Sequence, residues 1–240
     1  MTSEWQSETA DWVRTGAELF ATALGTCTSD DLSAPSLLPG WTRAHVASHV
    51  SANAQAIGRL LHWARTGEES PMYSSLEDRD REIDQGARLS LNALTSWCTT
   101  SDAALQQSFA SLPEGSWTNR VVTAQGRVIP ASETLWMRSR EVCIHAVDLN
   151  SGIGFADLPT PFLLRLVDEA CARHSANPVT STTITVATFD ERHCWTIEGS
   201  GAPITVTGSI ADLSSWLIGR GLNGVLTNSG EPAPDLPKWL

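Results

Sequence analysis

SETLWMRSREVCIHAVDL, Ser132 to Leu149, and TRAHVASHV, Thr42 to Val50, are the two stretches whose reading decides the fold. Ser132 and Glu133 open a helix that continues to Leu149, and Ser151-Gly152-Ile153-Gly154 breaks it. Thr42 is a good N-cap for another long helix running to about Thr66, with Gly67 as its stop. Each helix carries a pair of chemistry-bearing residues four apart: His45 and His49 in one, Glu141 and His145 in the other. Residues at that spacing project from one face, about 40° apart around the axis. Asp148 extends the second stripe. Two facing helices of a bundle can thus aim imidazoles and carboxylates at one point, which is how bundles hold metals in their cores. A zinc ion held by two histidines and one carboxylate keeps a fourth position open, the pattern of catalytic rather than structural sites.

The same spacings have plainer readings. A histidine pair four apart also occurs on ordinary helix surfaces, and an acid–histidine pair at that spacing is equally a helix salt bridge. Spacing alone leaves His45 and His49 interchangeable. Cys143 sits two residues from Glu141, about 200° around the helix, so it is excluded as a ligand. Asp148 is read as orienting a ligand imidazole from behind rather than as a ligand itself. His62 points away from His49, and His174 and His193 read as ordinary surface or seam residues.

Working outward, Trp12, Val13, Ala17, Phe20 and Leu24 form a single apolar stripe that predicts a first helix, ended by Gly25 and the polar run from Thr26 to Ser33. A loop follows, from Ala34 to Trp41. A further helical region spans about Leu76 to Leu112 and is interrupted near Gly86 to Ser90. Ser116 to Pro130, with its β-branched residues and Gly126, reads as an extended excursion or hairpin. Beyond the break at Ser151 the pattern changes. A helix fits Pro161 to Ala176; TTITVATF (Thr182 to Phe189), Cys194 to Glu198 and Pro203 to Thr207 read as strands; Ser209 caps a last helix to about Gly219. The tail from Gly230 to Pro237 reads as a packed loop ending on Trp239-Leu240. The expectation is an up-and-down helix bundle followed by a small α/β domain, joined near Ser151 to Leu158.

Composition narrows the function classes. The chain has 240 residues, 41% of them hydrophobic, enough for a real core. A net charge of −11 argues against a nucleic-acid partner, since phosphate binding needs a basic surface. The N-terminus lacks the basic start and apolar middle of a signal peptide, and no stretch approaches the roughly 18 apolar residues of a membrane span. Five cysteines with no CxxC pair read as reduced thiols in a cytoplasm. Arg220, between Gly219 and Gly221, is open to two readings. It is a cation at the negative end of a helix dipole, or a carboxylate-binding arginine on a loop that substrate can approach closely.

The runs Gly40-Trp41-Thr42-Arg43 through His49, Leu61-His62-Trp63-Ala64 with Thr66-Gly67-Glu68-Glu69, and above all TAQGRVIPASETLWMRSREVCIHAVDL (Thr123 to Leu149) resemble the mycothiol-dependent maleylpyruvate isomerase family. Gly219-Arg220-Gly221, Gly224-Val225 and Pro237-Lys238-Trp239-Leu240 agree with it, while the segment from Phe155 to Ser200 departs from the family pattern. The resemblance implies a DinB-like four-helix bundle over residues 1–152 that carries zinc, then a small sterol-carrier-protein-like α/β domain over 153–240. It places the zinc ligands on His49, Glu141 and His145, leaving His45 a neighbour, and an essential arginine on Arg220. The implied activity is cis–trans isomerisation of maleylpyruvate to fumarylpyruvate through addition of a thiolate, bond rotation and elimination. Mycothiol is the implied thiol, with ergothioneine as the other candidate. The alternative on the same scaffold is a thiol S-transferase that conjugates electrophiles. The implied partners are the small-molecule substrate and the thiol, with no nucleic acid and no membrane.

Overall fold

The computed structural model describes residues 4–176 and 182–239; Leu240, the last residue of the predicted tail, lies outside them. The chain divides into two compact units, Met1–Ile153 and Gly154–Leu240. Among the described residues there are seven α-helices and two small sheets.

The first unit contains α1 (Glu4–Gly25), α2 (Arg43–Thr66), α3 (Leu76–Gly86), α4 (Leu91–Ala110) and α5 (Glu133–Asp148), with a hairpin of β1 (Arg120–Val122) and β2 (Val128–Pro130) before α5. α1 packs on α5, α2 packs on α4 and on α5, and α3 lies across α2. α2 is central. Its run Ala44 to Ala56 is rich in small residues and buried nearly all round, as a helix enclosed by neighbours must be. The core between these helices is built from Val13, Ile57, Leu60, Leu61, Leu105, Phe109 and Leu135, closed by Trp117 and Ile129 from the hairpin region.

Local signals set the boundaries. Gly67 ends α2 in the left-handed conformation with φ of 77°, where a side chain would be strained. Ser75 and Ser90 cap α3 and α4 through their hydroxyls. The interruption expected near Gly86 to Ser90 thus becomes a boundary between two helices. Gly86 also lets α3 lie tightly on α2: a Cβ there would stand 2.1 Å from Ser48 Oγ and 2.5 Å from the Trp97 ring. Beside it Ser48 Oγ donates to the Ile83 carbonyl.

A buried arginine fixes α5 against α2 and α4. Arg138, 1% exposed, donates to the Val50 carbonyl at 2.9 Å, to Asn53 Oδ1 at 3.1 Å and to Asp102 Oδ1 at 3.0 Å. One turn along α5 from it stands Glu141, and one residue before Val50 on α2 stands His49. The register of the two helices that carry the candidate ligands is therefore pinned from within the core.

The second unit packs α6 (Thr160–Ala176) and α7 (Ile210–Leu217) with a four-stranded sheet of order β4-β3-β5-β6. Here β3 is Ile184–Thr188, β4 Cys194–Ile197, β5 Ile204–Gly208 and β6 Leu226–Thr227; β3 and β5 run parallel, and the outer pairings are antiparallel. The fourth strand, β6, goes beyond the three that the sequence predicts: at two residues it is too short to show alternation. No helix among the described residues is long and apolar enough to cross a membrane.

Candidate metal centre

α2 and α5 bring three donors together. One atom from each of His49, Glu141 and His145 lies within 4.8 Å of the others. Glu141 Oε2 stands between the two imidazoles, 2.8 Å from His49 Nε2 and 3.3 Å from His145 Nε2. The rings meet edge to face, their centroids 4.9 Å apart at 84°. His145 is held from behind: its Nδ1 lies 2.8 Å from Asp148 Oδ2, on a residue with no exposed surface. A proton on Nδ1 donated to that carboxylate leaves Nε2, turned toward Glu141, as the nitrogen that would offer its lone pair once its own proton is displaced. Trp41 closes one side of the cluster, its ring centroid 5.4 Å from that of His49.

The two histidines of α2 part company through the helix cap. With Thr42 as N-cap, His45 falls at the third helical position and closes a capping box. The Thr42 N–H donates to His45 Nδ1 at 3.3 Å, while Thr42 Oγ1 accepts from the His45 N–H. The other nitrogen of His45 faces Asp84 at 3.7 Å. His45 is thus committed to the start of the helix, and His49, one turn on, reaches Glu141.

Charge follows from burial and contact. Burial holds His49 below the usual imidazole range, more strongly than the nearby Glu141 carboxylate raises it. Burial works to raise Glu141, but the two imidazoles outweigh it and leave the carboxyl well below its ordinary value. Burial also works against a charged His145, yet its hydrogen bonds to Asp148 and Glu141 push it up to about 9. Tyr73 reaches about 12, chiefly through burial and then through the negative charge of Glu141.

The donor set fits a zinc ion. Four ligands about 2.0–2.1 Å from zinc in a tetrahedron stand roughly 3.3 Å from one another, close to the spacings seen around Glu141 Oε2. Glu141 keeps 27% of its side chain exposed, which leaves an approach for a further ligand from solvent. The carboxylate behind His145 is the arrangement that orients metal-bound imidazoles elsewhere.

Among the described residues the other sequence candidates of the first unit, Cys143 and His62, do not join the cluster, and His174, His193 and Arg220 belong to the second unit. Cys143 is fully buried, its Sγ turned to the Trp12 carbonyl on α1, and burial raises its thiol strongly. His62 is exposed; His174 is buried on the Leu217 carbonyl at 2.8 Å; His193 stacks on Trp195. Arg220 belongs to the second unit, just past α7, where Gly219 takes φ of 74°. Its Nη1 donates to the Ile218 carbonyl at 2.9 Å. The sequence alone gives no role to Arg79 on α3 or to Tyr73, both of which stand beside the cluster. Arg79 sits in the charged run Glu77 to Asp84, which reads as a solvated helix face, and its Nη2 lies 3.4 Å from His49 Nδ1.

Residues 13–150, the part that holds the cluster, match the model of the mycothiol maleylpyruvate isomerase N-terminal domain. The crystal structure of the mycothiol-dependent maleylpyruvate isomerase is similar over 100% of both chains, with 37% sequence identity and a TM-score of 0.92. The crystal structure of a histidine-to-alanine mutant of that isomerase is similar over the same extent, at 36% identity and a TM-score of 0.92. Among curated proteins none matches this chain.

Proposed function

The chain belongs to the mycothiol maleylpyruvate isomerase family, and from that premise we propose that it isomerises maleylpyruvate to fumarylpyruvate with a low-molecular-weight thiol, mycothiol, as cofactor and zinc on His49, Glu141 and His145. The observation that carries this reading is the cluster itself: two imidazoles and a carboxylate, one imidazole backed by a buried carboxylate, with one side open to solvent. In the same reading the helices of the first unit form a DinB-like four-helix bundle, residues 1–152. Residues 153–240 form a sterol-carrier-protein-like α/β domain.

Each residue has a part. Burial keeps His49 neutral, the form that can give a lone pair to a cation. Asp148 holds the proton of His145 on Nδ1, so that Nε2 faces inward. Glu141 stays ionised and supplies negative charge between the rings. Trp41 packs its ring edge to face against that of His49 and helps bury it. His49, Glu141 and His145 would hold the zinc, which when bound would favour the thiolate form of a thiol whose ordinary pKa near 8.5 leaves little nucleophile at neutral pH. Isomerisation needs only that the cis double bond become single long enough to rotate, and reversible thiol addition across it does this without any redox change. Some of the protein's own thiols are poor nucleophiles at neutral pH. Burial raises the half-buried Cys98 to about 11 and the buried Cys171 to about 12. Arg220 is assigned the substrate carboxylate and the negative charge that develops on addition.

The test is an absorbance assay of maleylpyruvate with purified, zinc-loaded protein offered mycothiol, ergothioneine and glutathione in turn. Catalytic conversion with mycothiol supports the reading. No conversion with any of the three overturns it and moves the assignment to S-transfer onto electrophiles.

A further inference from the structure

We propose that Arg79 is a carboxylate-binding residue of this site, which grips one end of a dianionic substrate beside the metal ligands; the proposal rests on the isomerase reading for the substrate's identity. Arg79 reaches the cluster from α3, a helix that contributes no candidate ligand. One nitrogen, Nη2, lies 3.4 Å from His49 Nδ1, and the guanidinium packs 6.0 Å from the centre of the Tyr73 ring. Its other arm, Nη1, is 2.8 Å from Asp80. Asp80 is 68% exposed, so that pair is a weak, solvent-screened one. The second arginine packed on Tyr73 is differently engaged. Arg59 directs both Nε and Nη2 to the Met72 carbonyl, which fixes it to the backbone of the loop before α3.

The chemistry of His49 then decides what Arg79 can do. Nε2 of His49 is the nitrogen that faces Glu141. An imidazole that gives Nε2 to a metal carries its proton on Nδ1, and a guanidinium has no lone pair to accept it. With a metal on Nε2 the two groups would be facing donors, and Nη2 would be free to turn to another acceptor. Arg79 keeps 26% of its side chain exposed, so a small anion can reach it. The planar donor fork of arginine matches a carboxylate with two parallel hydrogen bonds. A guanidinium next to a metal cation is also least favourable when no anion lies between them. A short dicarboxylate held on Arg79 would therefore lie next to His49, one of the three candidate ligands. Gly86, which lets α3 rest on Ser48, sets how near Arg79 comes.

Calorimetric titration of maleate, a cis-dicarboxylate that needs a thiol in order to react, into zinc-loaded protein tests this, with the monoamide of maleate as the second ligand. Wild type binds maleate, and Arg79→Met weakens it about ten- to a hundredfold. The variant's zinc content stays at the wild-type level, and the monoamide loses far less affinity than the dianion. The proposal is overturned by any of four results: wild type that does not bind maleate, a variant within about twofold of wild type, equal losses for both ligands, or loss of zinc from the variant. Maleate binding through Arg79 in a protein that never converts maleylpyruvate would refute the isomerase reading and leave the anion site standing.

Discussion

Replacing Asp148 by Asn removes one negative charge from behind His145 while keeping size and shape, and its effect on metal binding depends on pH in a defined way. The carboxylate has no exposed surface and meets Nδ1 at 2.8 Å, a buried charge-assisted hydrogen bond. Such bonds contribute about 1.5–3 kcal/mol, which at about 1.4 kcal/mol per factor of ten is roughly ten- to a hundredfold in zinc affinity. The same carboxylate also favours a proton on His145, which it helps raise to about 9. Below that pH zinc must displace the proton, so wild-type affinity rises as pH rises toward about 9 and then levels. In Asp148→Asn the proton loses its support together with the metal. The variant's deficit is therefore small near neutral pH, where the two losses offset, and approaches the full ten- to hundredfold above about pH 9. Competition with a chromogenic chelator, measured on stripped protein at several pH values, reads this directly. A deficit that does not grow with pH, or no deficit at high pH, would refute the assignment of Asp148 to the His145 ring. The sign is the same for folding of the stripped protein. The raised His145 contributes stability that is complete below the unfolded value near 6.5 and is lost as pH rises through about 9.

Three further substitutions probe the frame and the second unit. Arg138→Ala leaves Asp102, Asn53 and the Val50 carbonyl without their partner in the core and should destabilise the protein by about 3–5 kcal/mol in denaturant titration; a loss below about 1 kcal/mol would show that α5 is held otherwise. Gly86→Ala puts a methyl within 2.1 Å of Ser48 Oγ and should cost about 1–3 kcal/mol as α3 shifts, with zinc content retained; unchanged stability would contradict the close approach. Arg220→Ala should keep metal and thermal stability yet lose most turnover, and near-normal turnover would remove its assigned role.

Much of the helical frame is legible in the sequence because it is written in spacings of three and four. Trp12 to Leu24 mark α1, and Ser90 marks the start of α4 after the break at Gly86. The stripe of Glu141, His145 and Asp148 can be read from α5 alone, because its members share one helix face. The distinction between His45 and His49 was also within reach of the sequence. Thr42 as N-cap places His45 at the capping-box position, and a side chain used there is not free for a ligand. What could not be read depends on contacts between distant segments. Arg138 looks like any helix arginine until Asp102, thirty-six positions away, closes on it. Arg79 lies among the acids and arginines of α3, and only the seating of α3 on α2 turns it toward His49. A two-residue strand such as β6 has no periodicity to detect.

Whether the three-donor cluster and the isomerase activity are one site is tested by adding zinc back to chelator-stripped protein while recording maleylpyruvate turnover with mycothiol. The expected result is no turnover without zinc, a linear rise to one equivalent per chain and no further gain, with the His49→Ala, His145→Ala double variant inactive and metal-free. Turnover that persists after stripping, or that the double variant retains, would contradict it.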